Sequence, residues 1–91
     1  MARASAPAVA ERELSARFAE ADLHVRVFRD GDGYTAVADA LHVASGGDSP
    51  EAARRSLQEA LAEYLEFLEE KNVTLGPELH RQLEILRGAT L

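Results

Sequence analysis

The sequence predicts an α+β domain in which a three-stranded antiparallel sheet packs on one long helix, with a short helix at either end. Three observations predict it. Apolar residues alternate with other residues from position 23, short turns interrupt this alternation, and residues 50–70 carry apolar side chains every three or four positions. Such short turns cannot hold crossover connections, so the strands must be antiparallel. A chain of 91 residues has room for one small domain.

The N-terminal residues differ in composition from the rest of the chain. The first ten are rich in alanine and lack the apolar core of a signal peptide. Beyond them, Leu14, Phe18 and Ala21 fall on one helical stripe, which predicts a short helix that needs a surface to dock on. The expected organisation is a flexible tail (1–10), a short helix (11–21), the α+β domain (22–75) and a short C-terminal helical segment (76–91).

The first strand is predicted from Asp22 onward, where Leu23, Val25 and Val27 alternate with other residues. The sequence Asp30-Gly31-Asp32-Gly33 predicts a tight turn, because glycine accepts positive φ and aspartate accepts local hydrogen bonds. The segments that follow are predicted as a return strand (34–38), a second turn (39–40) and a third strand (41–45).

The long helix has the clearest start signal in the chain. Ser49 can cap it, Pro50 suits the first helical position and Glu51 suits the first turn. The helix is expected to reach about Lys71, with Asn72 as a left-handed residue after it. Its predicted core-facing seam consists of Ala53, Leu57, Ala60, Leu61, Tyr64, Leu65 and Leu68.

The end of the chain predicts two further short elements. Residues 73–75 are expected to form a fourth strand, and the chain restarts as a helix at Pro77. Leu79, Leu83 and Leu86 form the predicted seam of this helix, which is expected to end at Gly88.

The long helix can cover only one face of the sheet. The other face is predicted to mix polar residues with large apolar ones, which favours contact with another subunit. We therefore expect a homodimer or higher oligomer, with an oligomer face that contains His24, Arg26, Phe28 and Val37. In the alternative, the N- and C-terminal helices cover this face within one chain.

The sequence offers little for catalysis or metal binding. The absence of cysteine excludes disulfides, thiolate zinc sites and cysteine nucleophiles. The three histidines lack zinc-motif spacing. Asp30 and Asp32 fall in a predicted turn and Ser49 in a helix cap, where local structure explains them. We expect no catalytic residues, no metal and no cofactor, and hence a protein that is not an enzyme.

The charge balance limits the classes of partner that the chain is expected to bind. Sixteen acidic residues against ten basic ones give a net charge of −6, which argues against dedicated binding to DNA or to membrane surfaces. No apolar run approaches the roughly 18 residues that a membrane span needs.

Acidic residues recur along the long helix. Glu59, Glu63, Glu66 and Glu70 are spaced by four, three and four positions, and residues 56–70 contain no basic residue. This spacing places the four glutamates on one helix face, here named the acidic stripe. It indicates either a solvated helix face or a docking surface for a basic protein.

Three segments, read together, resemble a known family. They are Asp32-Gly33-Tyr34-Thr35-Ala36, then Gly47-Asp48-Ser49-Pro50-Glu51-Ala52, then residues 57–65, which are rich in Leu, Glu and Ala. In order and spacing, residues 25–68 resemble the HicB-like antitoxin domain, so the chain looks like a short or stand-alone member.

The resemblance implies a partial ribonuclease-H-like fold without the catalytic acids, and an oligomer. It also implies a partner similar to the HicA toxin, a small basic protein that cleaves mRNA and whose RNA site the antitoxin blocks. Such systems are prokaryotic and cytoplasmic.

The chain departs from the family pattern at two places. Residues 39–43 replace the family's Pro-x-Leu-Pro-Gly, so that only Leu41 matches. The chain also ends before a complete C-terminal DNA-binding module, so direct DNA binding is not expected. The alternatives are an orphan oligomeric structural or regulatory protein of the same fold, favoured by the altered loop, and a metal-dependent nuclease, disfavoured by the lack of an acidic cluster.

Overall fold

The computed structural model describes residues 18–90, and these contain one sheet, two α-helices and three short 3₁₀ helices. Strands β1 (Val25–Asp30), β2 (Gly33–Ala38) and β3 (Val43–Gly47) are antiparallel and lie in the order β1-β2-β3. Helix α1 (Pro50–Glu70) packs on the sheet, and helix α2 (Pro77–Ala89) follows it. The predicted α+β class, with an antiparallel meander against one long helix, is confirmed.

A two-residue turn joins β1 to β2. Gly31 has a φ of 63°, which glycine adopts without steric cost, and Asp30 pairs with Gly33 to close the turn. From this point all six residues of β1 pair with β2 in unbroken register. The hydroxyl of Thr35 donates to Asp30 Oδ2 at 3.0 Å, which further ties the two strands together beside the turn.

Helix α1 lies mainly over β3 and β2 and reaches β1 at few points. Ser49 caps it as predicted, since its Oγ accepts a hydrogen bond of 3.1 Å from the backbone N–H of Ala52. The helix buries Leu57 and Leu61, and the facing strand residues Ala36 and Ala38 are also fully buried. These small strand side chains let the helix approach the sheet closely.

Helix α2 packs on α1 and on a short 3₁₀ helix, Glu20–Leu23, at the start of the described chain. Leu83 and Leu86 of α2 are fully buried, as predicted for its seam, whereas Leu79 is 37% exposed. The backbone N–H of Ala19 donates to Ala89 O at 2.8 Å, so the two ends of the described chain are joined.

Strands β1 and β3 both begin later than predicted, and for the same reason. Leu23 and Leu41 are buried in 3₁₀ helices, Glu20–Leu23 and Asp39–Leu41, rather than in strands. His24 and His42 close these helices in left-handed conformations, with φ of 54° and 57°. A single buried leucine is compatible with a strand or with a 3₁₀ helix, so the alternation of apolar residues alone could not distinguish the two.

The predicted fourth strand is wrong. Residues 72–74 form a 3₁₀ helix, and Val73 is 94% exposed, so no sheet edge or core holds this segment as a strand. Asn72 is not left-handed, and Gly88 lies inside α2 rather than ending it.

The predicted N-terminal helix falls mostly outside the described residues. Within them, Phe18 forms an isolated bridge with Thr90, and a 3₁₀ helix starts at Glu20, so residues 18–21 are not α-helical. Phe18 is buried as expected, but Ala21 is exposed. The predicted tail lies entirely outside the described residues.

Gly47 provides a test of the close contact between β3 and α1. A Cβ atom there would lie 2.5 Å from the backbone nitrogen of Ala53, whereas a Cβ at Gly46 would lie 3.5 Å from its nearest neighbour, Tyr34 O. We expect Gly47→Ala to lower the free energy of unfolding by about 1–3 kcal/mol, because the helix must shift.

Urea denaturation of the two alanine variants measures this difference. Gly46→Ala, the matched control, should stay within about 0.5 kcal/mol of the wild type. Equal stability of the two variants would contradict the close approach of α1 to β3.

Candidate functional surfaces

The acidic stripe lies on the face of α1 that points away from the sheet. Glu59, Glu63, Glu66 and Glu70 are all exposed. The opposite face of the helix packs into the core through Leu57, Leu61, Leu65 and Leu68. The predicted placement of the four glutamates on one helix face is therefore correct, and their binding role stays a prediction.

No side chain among residues 18–90 neutralises the acidic stripe. No hydrogen bond or ion pair within that part of the chain engages any of its four carboxylates. Carboxylates elsewhere do have cationic partners: Asp39 is 2.7 Å from Arg26, and Glu78 is 2.8 Å from Arg81. The last turn of α1 also lacks a basic residue, so Glu70 lies against the negative end of the helix dipole.

An exposed aromatic ring borders the stripe. Phe67 is 46% exposed and stacks on Tyr64, with 6.5 Å between the ring centroids and an angle of 10° between the rings. Together with Glu63, Glu66, Glu69 and Glu70, it lines a shallow depression on α1. Sequence analysis missed Phe67, although its three-residue spacing from Tyr64 could have indicated a paired aromatic surface.

Tyr64 anchors this surface to the second helix. Its hydroxyl donates to Gln82 Oε1, and Gln82 Nε2 donates to Glu78 Oε2 at 3.3 Å. Burial raises the pKa of Tyr64 above its ordinary value, and the charge of Glu78 adds to the shift. The protonated hydroxyl is the form that donates to Gln82, and this hydrogen bond holds the ring on which Phe67 stacks.

The outer face of the sheet carries a second group of residues, which are exposed or half-buried. Arg26 and Val37 are directly opposite each other on β1 and β2. Phe28 lies on the same face and is 42% exposed, and the Arg26 guanidinium lies 5.7 Å from its ring centroid. The structure thus brings together three of the four residues predicted for the oligomer face.

His24, the fourth, precedes β1 in a left-handed conformation, so its predicted position within the strand is wrong. It lines a shallow depression with Arg26 and Asp39, so it still lies beside this group. His42 also lies near Asp39. Hydrogen bonds from Arg26, at 2.7 and 2.8 Å, lower the pKa of Asp39, and the charges of Arg26 and the two histidines act in the same direction.

The other polar residues considered as catalytic or metal-binding candidates have local structural roles. Asp30 accepts a hydrogen bond from Thr35, Asp32 lies in the hairpin turn, and Ser49 caps α1. Within residues 18–90, no group of three or more His, Asp or Glu side chains is placed to hold a metal ion. No helix in this part of the chain is both long and apolar enough to cross a membrane.

Comparison with known proteins identified no relative. The chain has no significant match among known protein families, curated proteins or solved structures.

The link between Tyr64 and Gln82 can be tested by removing one hydroxyl. Tyr64→Phe leaves Gln82 Oε1 without its donor, so we expect the free energy of unfolding to fall by about 1–3 kcal/mol. Tyr34→Phe is the matched control, because the Tyr34 hydroxyl forms no hydrogen bond within residues 18–90, and it should change stability by less than about 0.5 kcal/mol. Urea denaturation measures both. A Tyr64→Phe variant as stable as the control would show that this hydrogen bond does not hold the helices together.

Proposed function

We propose that this chain is a non-catalytic protein-binding module of the HicB-like antitoxin kind. In this proposal it acts in the prokaryotic cytoplasm and masks the RNA site of a small basic mRNA-cleaving toxin. The observation that supports it best is the acidic stripe, whose four carboxylates are exposed and unneutralised within the described chain. The motifs in residues 32–36, 47–52 and 57–65 supply the family part of the proposal.

Repulsion along the stripe favours a bound cationic partner over a merely solvated face. The pairs Glu59–Glu63 and Glu66–Glu70 are four residues apart, and each like-charge pair at this spacing destabilises a helix by about 0.2–0.5 kcal/mol. Lysine or arginine side chains of a partner would relieve this repulsion. Complementary charge would also speed the encounter and select the partner.

Phe67 gives the stripe an apolar contact as well. A guanidinium group can lie on an aromatic ring while it pairs with a neighbouring carboxylate. Glu63 and Glu70 border the exposed ring of Phe67, so both contacts are available to one arginine.

The same chemistry connects protein binding to inhibition of an RNA-cleaving partner. A protein that binds RNA needs lysine or arginine residues to contact the phosphates. An acidic stripe that pairs with those residues competes directly with RNA for the same surface. Masking therefore requires no catalytic group on this chain.

The second candidate is an orphan oligomeric protein of the same fold without a toxin partner. The exposed Phe28 on the outer sheet face favours it. So does the segment that differs from the family's loop, because residues 39–41 form a 3₁₀ helix in which Asp39 is engaged by Arg26.

Replacement of the acidic stripe tests the first candidate. In a variant with glutamine at positions 59, 63, 66 and 70, we expect affinity for the basic partner to fall by about tenfold or more at low salt. The salt dependence of binding should also become flatter. The partner is first isolated from the source organism with the wild-type chain as bait, at low and at high salt, and the affinities are then measured by calorimetry.

A second variant controls for net charge. It carries the amide counterparts of four exposed acids outside the stripe, Asp22, Asp32, Asp48 and Glu51, and should bind nearly as tightly as the wild type. Equal affinity of the stripe variant and the wild type would rule out the stripe as the docking surface. Recovery of the bait alone would favour the orphan oligomer.

A further inference from the structure

Strand β1 is an edge of the sheet that nothing in residues 18–90 pairs. It is six residues long, and it contains neither a proline nor a break in its register with β2. In an antiparallel pair, alternate residues direct their backbone N–H and C=O groups away from the neighbouring strand. An edge of this kind is a template for pairing with another strand.

The outer face of β1 has a self-complementary pattern of side chains. Arg26, Phe28 and Asp30 alternate along this face as positive, aromatic and negative. We propose that two copies of the chain pair antiparallel through β1 about a two-fold axis, which produces a continuous six-stranded sheet. With the two Phe28 side chains opposite each other at the axis, Arg26 of each copy lies opposite Asp30 of the other.

Arg26 and Asp30 both have side-chain atoms available for this ion pair. Arg26 uses Nε and Nη2 to bind Asp39, and its Nη1 has no partner within the described residues. Asp30 accepts one hydrogen bond, at Oδ2, from Thr35, so its Oδ1 is free in the same part of the chain. Pairing would also cover Phe28, which is 42% exposed in the single chain.

The pleat and the charged side chains favour this strand register over the neighbouring registers. A shift by one residue would bring the core-facing Val27 opposite an outer-face residue of the other copy, which the pleat does not allow. A shift by two residues keeps the faces matched, but it places Arg26 opposite Phe28 in one direction and opposite Asp32, which lies in the turn beyond β1, in the other. The pairing with Phe28 on the axis therefore forms two cross-strand ion pairs, the arrangement that favours strand association.

The interface is separate from the acidic stripe. The stripe faces away from the sheet on α1, and α1 lies mainly over β2 and β3 rather than β1. Self-association through β1 therefore leaves both stripes accessible and does not depend on the proposed toxin partner.

Two single charge reversals and their mixture test the proposal in the full chain. In Arg26→Glu, the new glutamate would face Asp30 of the other copy, and in Asp30→Lys the new lysine would face Arg26. We expect each variant alone to dissociate about tenfold more readily than the wild type, because two attractive cross-strand pairs become repulsive. An equimolar mixture of the two restores both attractions, so it should recover a dimer. Sedimentation velocity over a range of concentrations measures all four samples.

Arg55→Glu is the matched control for charge, because Arg55 is exposed on α1, away from β1, and this variant should dimerise like the wild type. Circular dichroism verifies that each variant is folded. A wild-type chain that stays monomeric at concentrations up to about 1 mM, a range in which a weak specific dimer still forms, would overturn the proposal. So would a folded pair of variants that does not associate on mixing, or single variants that dimerise as tightly as the wild type.

Discussion

The packing of α1 across β2 and β3 is the contact on which the rest of this structure depends. It is close because the strands present Ala36, Ala38 and Gly47 where the helix lies, and because Leu57 and Leu61 fill the space between. Burial of these side chains supplies the main stabilisation of a domain this small. The same contact fixes the rotation of α1, and the acidic stripe must therefore face away from the sheet.

This asymmetric coverage also explains why β1 differs from the other strands. Helix α1 covers β3 and the central strand, while α2 packs on α1 and on the Glu20–Leu23 helix. The outer edge of β1 and the face with Phe28 are left uncovered within residues 18–90. The molecule therefore has two exposed surfaces of different character, one acidic and helical, the other a strand edge with paired charges.

The sequence was a good guide wherever one local signal determined the structure. Ser49 and Pro50 indicated the start of α1, and the three- and four-residue spacing of its leucines indicated the buried face, so the orientation of the stripe followed. The sequence signals failed where either a strand or a 3₁₀ helix would bury the same residue. Leu23 and Leu41 are core residues in a strand or in a 3₁₀ helix alike, and left-handed histidines after them have no clear sequence signature.

Contacts between distant residues could not be predicted from a single sequence. The ion pair between Arg26 and Asp39 requires the 3₁₀ helix after β2 to lie beside β1, and the hydrogen bond between Tyr64 and Gln82 requires the packing of α2 on α1. The position of Phe67 along the helix was compatible with the edge of the core and with the exposed surface. Only the tertiary arrangement distinguishes these possibilities.

Amide hydrogen exchange resolved by residue tests most directly whether the outer edge of β1 is free. The measurement is made on the full chain by NMR, at a concentration where sedimentation shows a monomer. We expect all paired amides of the central strand β2 to exchange slowly, while protection along β1 alternates, because only every second amide of an edge strand faces its neighbour. Uniformly slow exchange along β1 in the monomer would contradict this, since it would mean that another part of the chain already covers the edge.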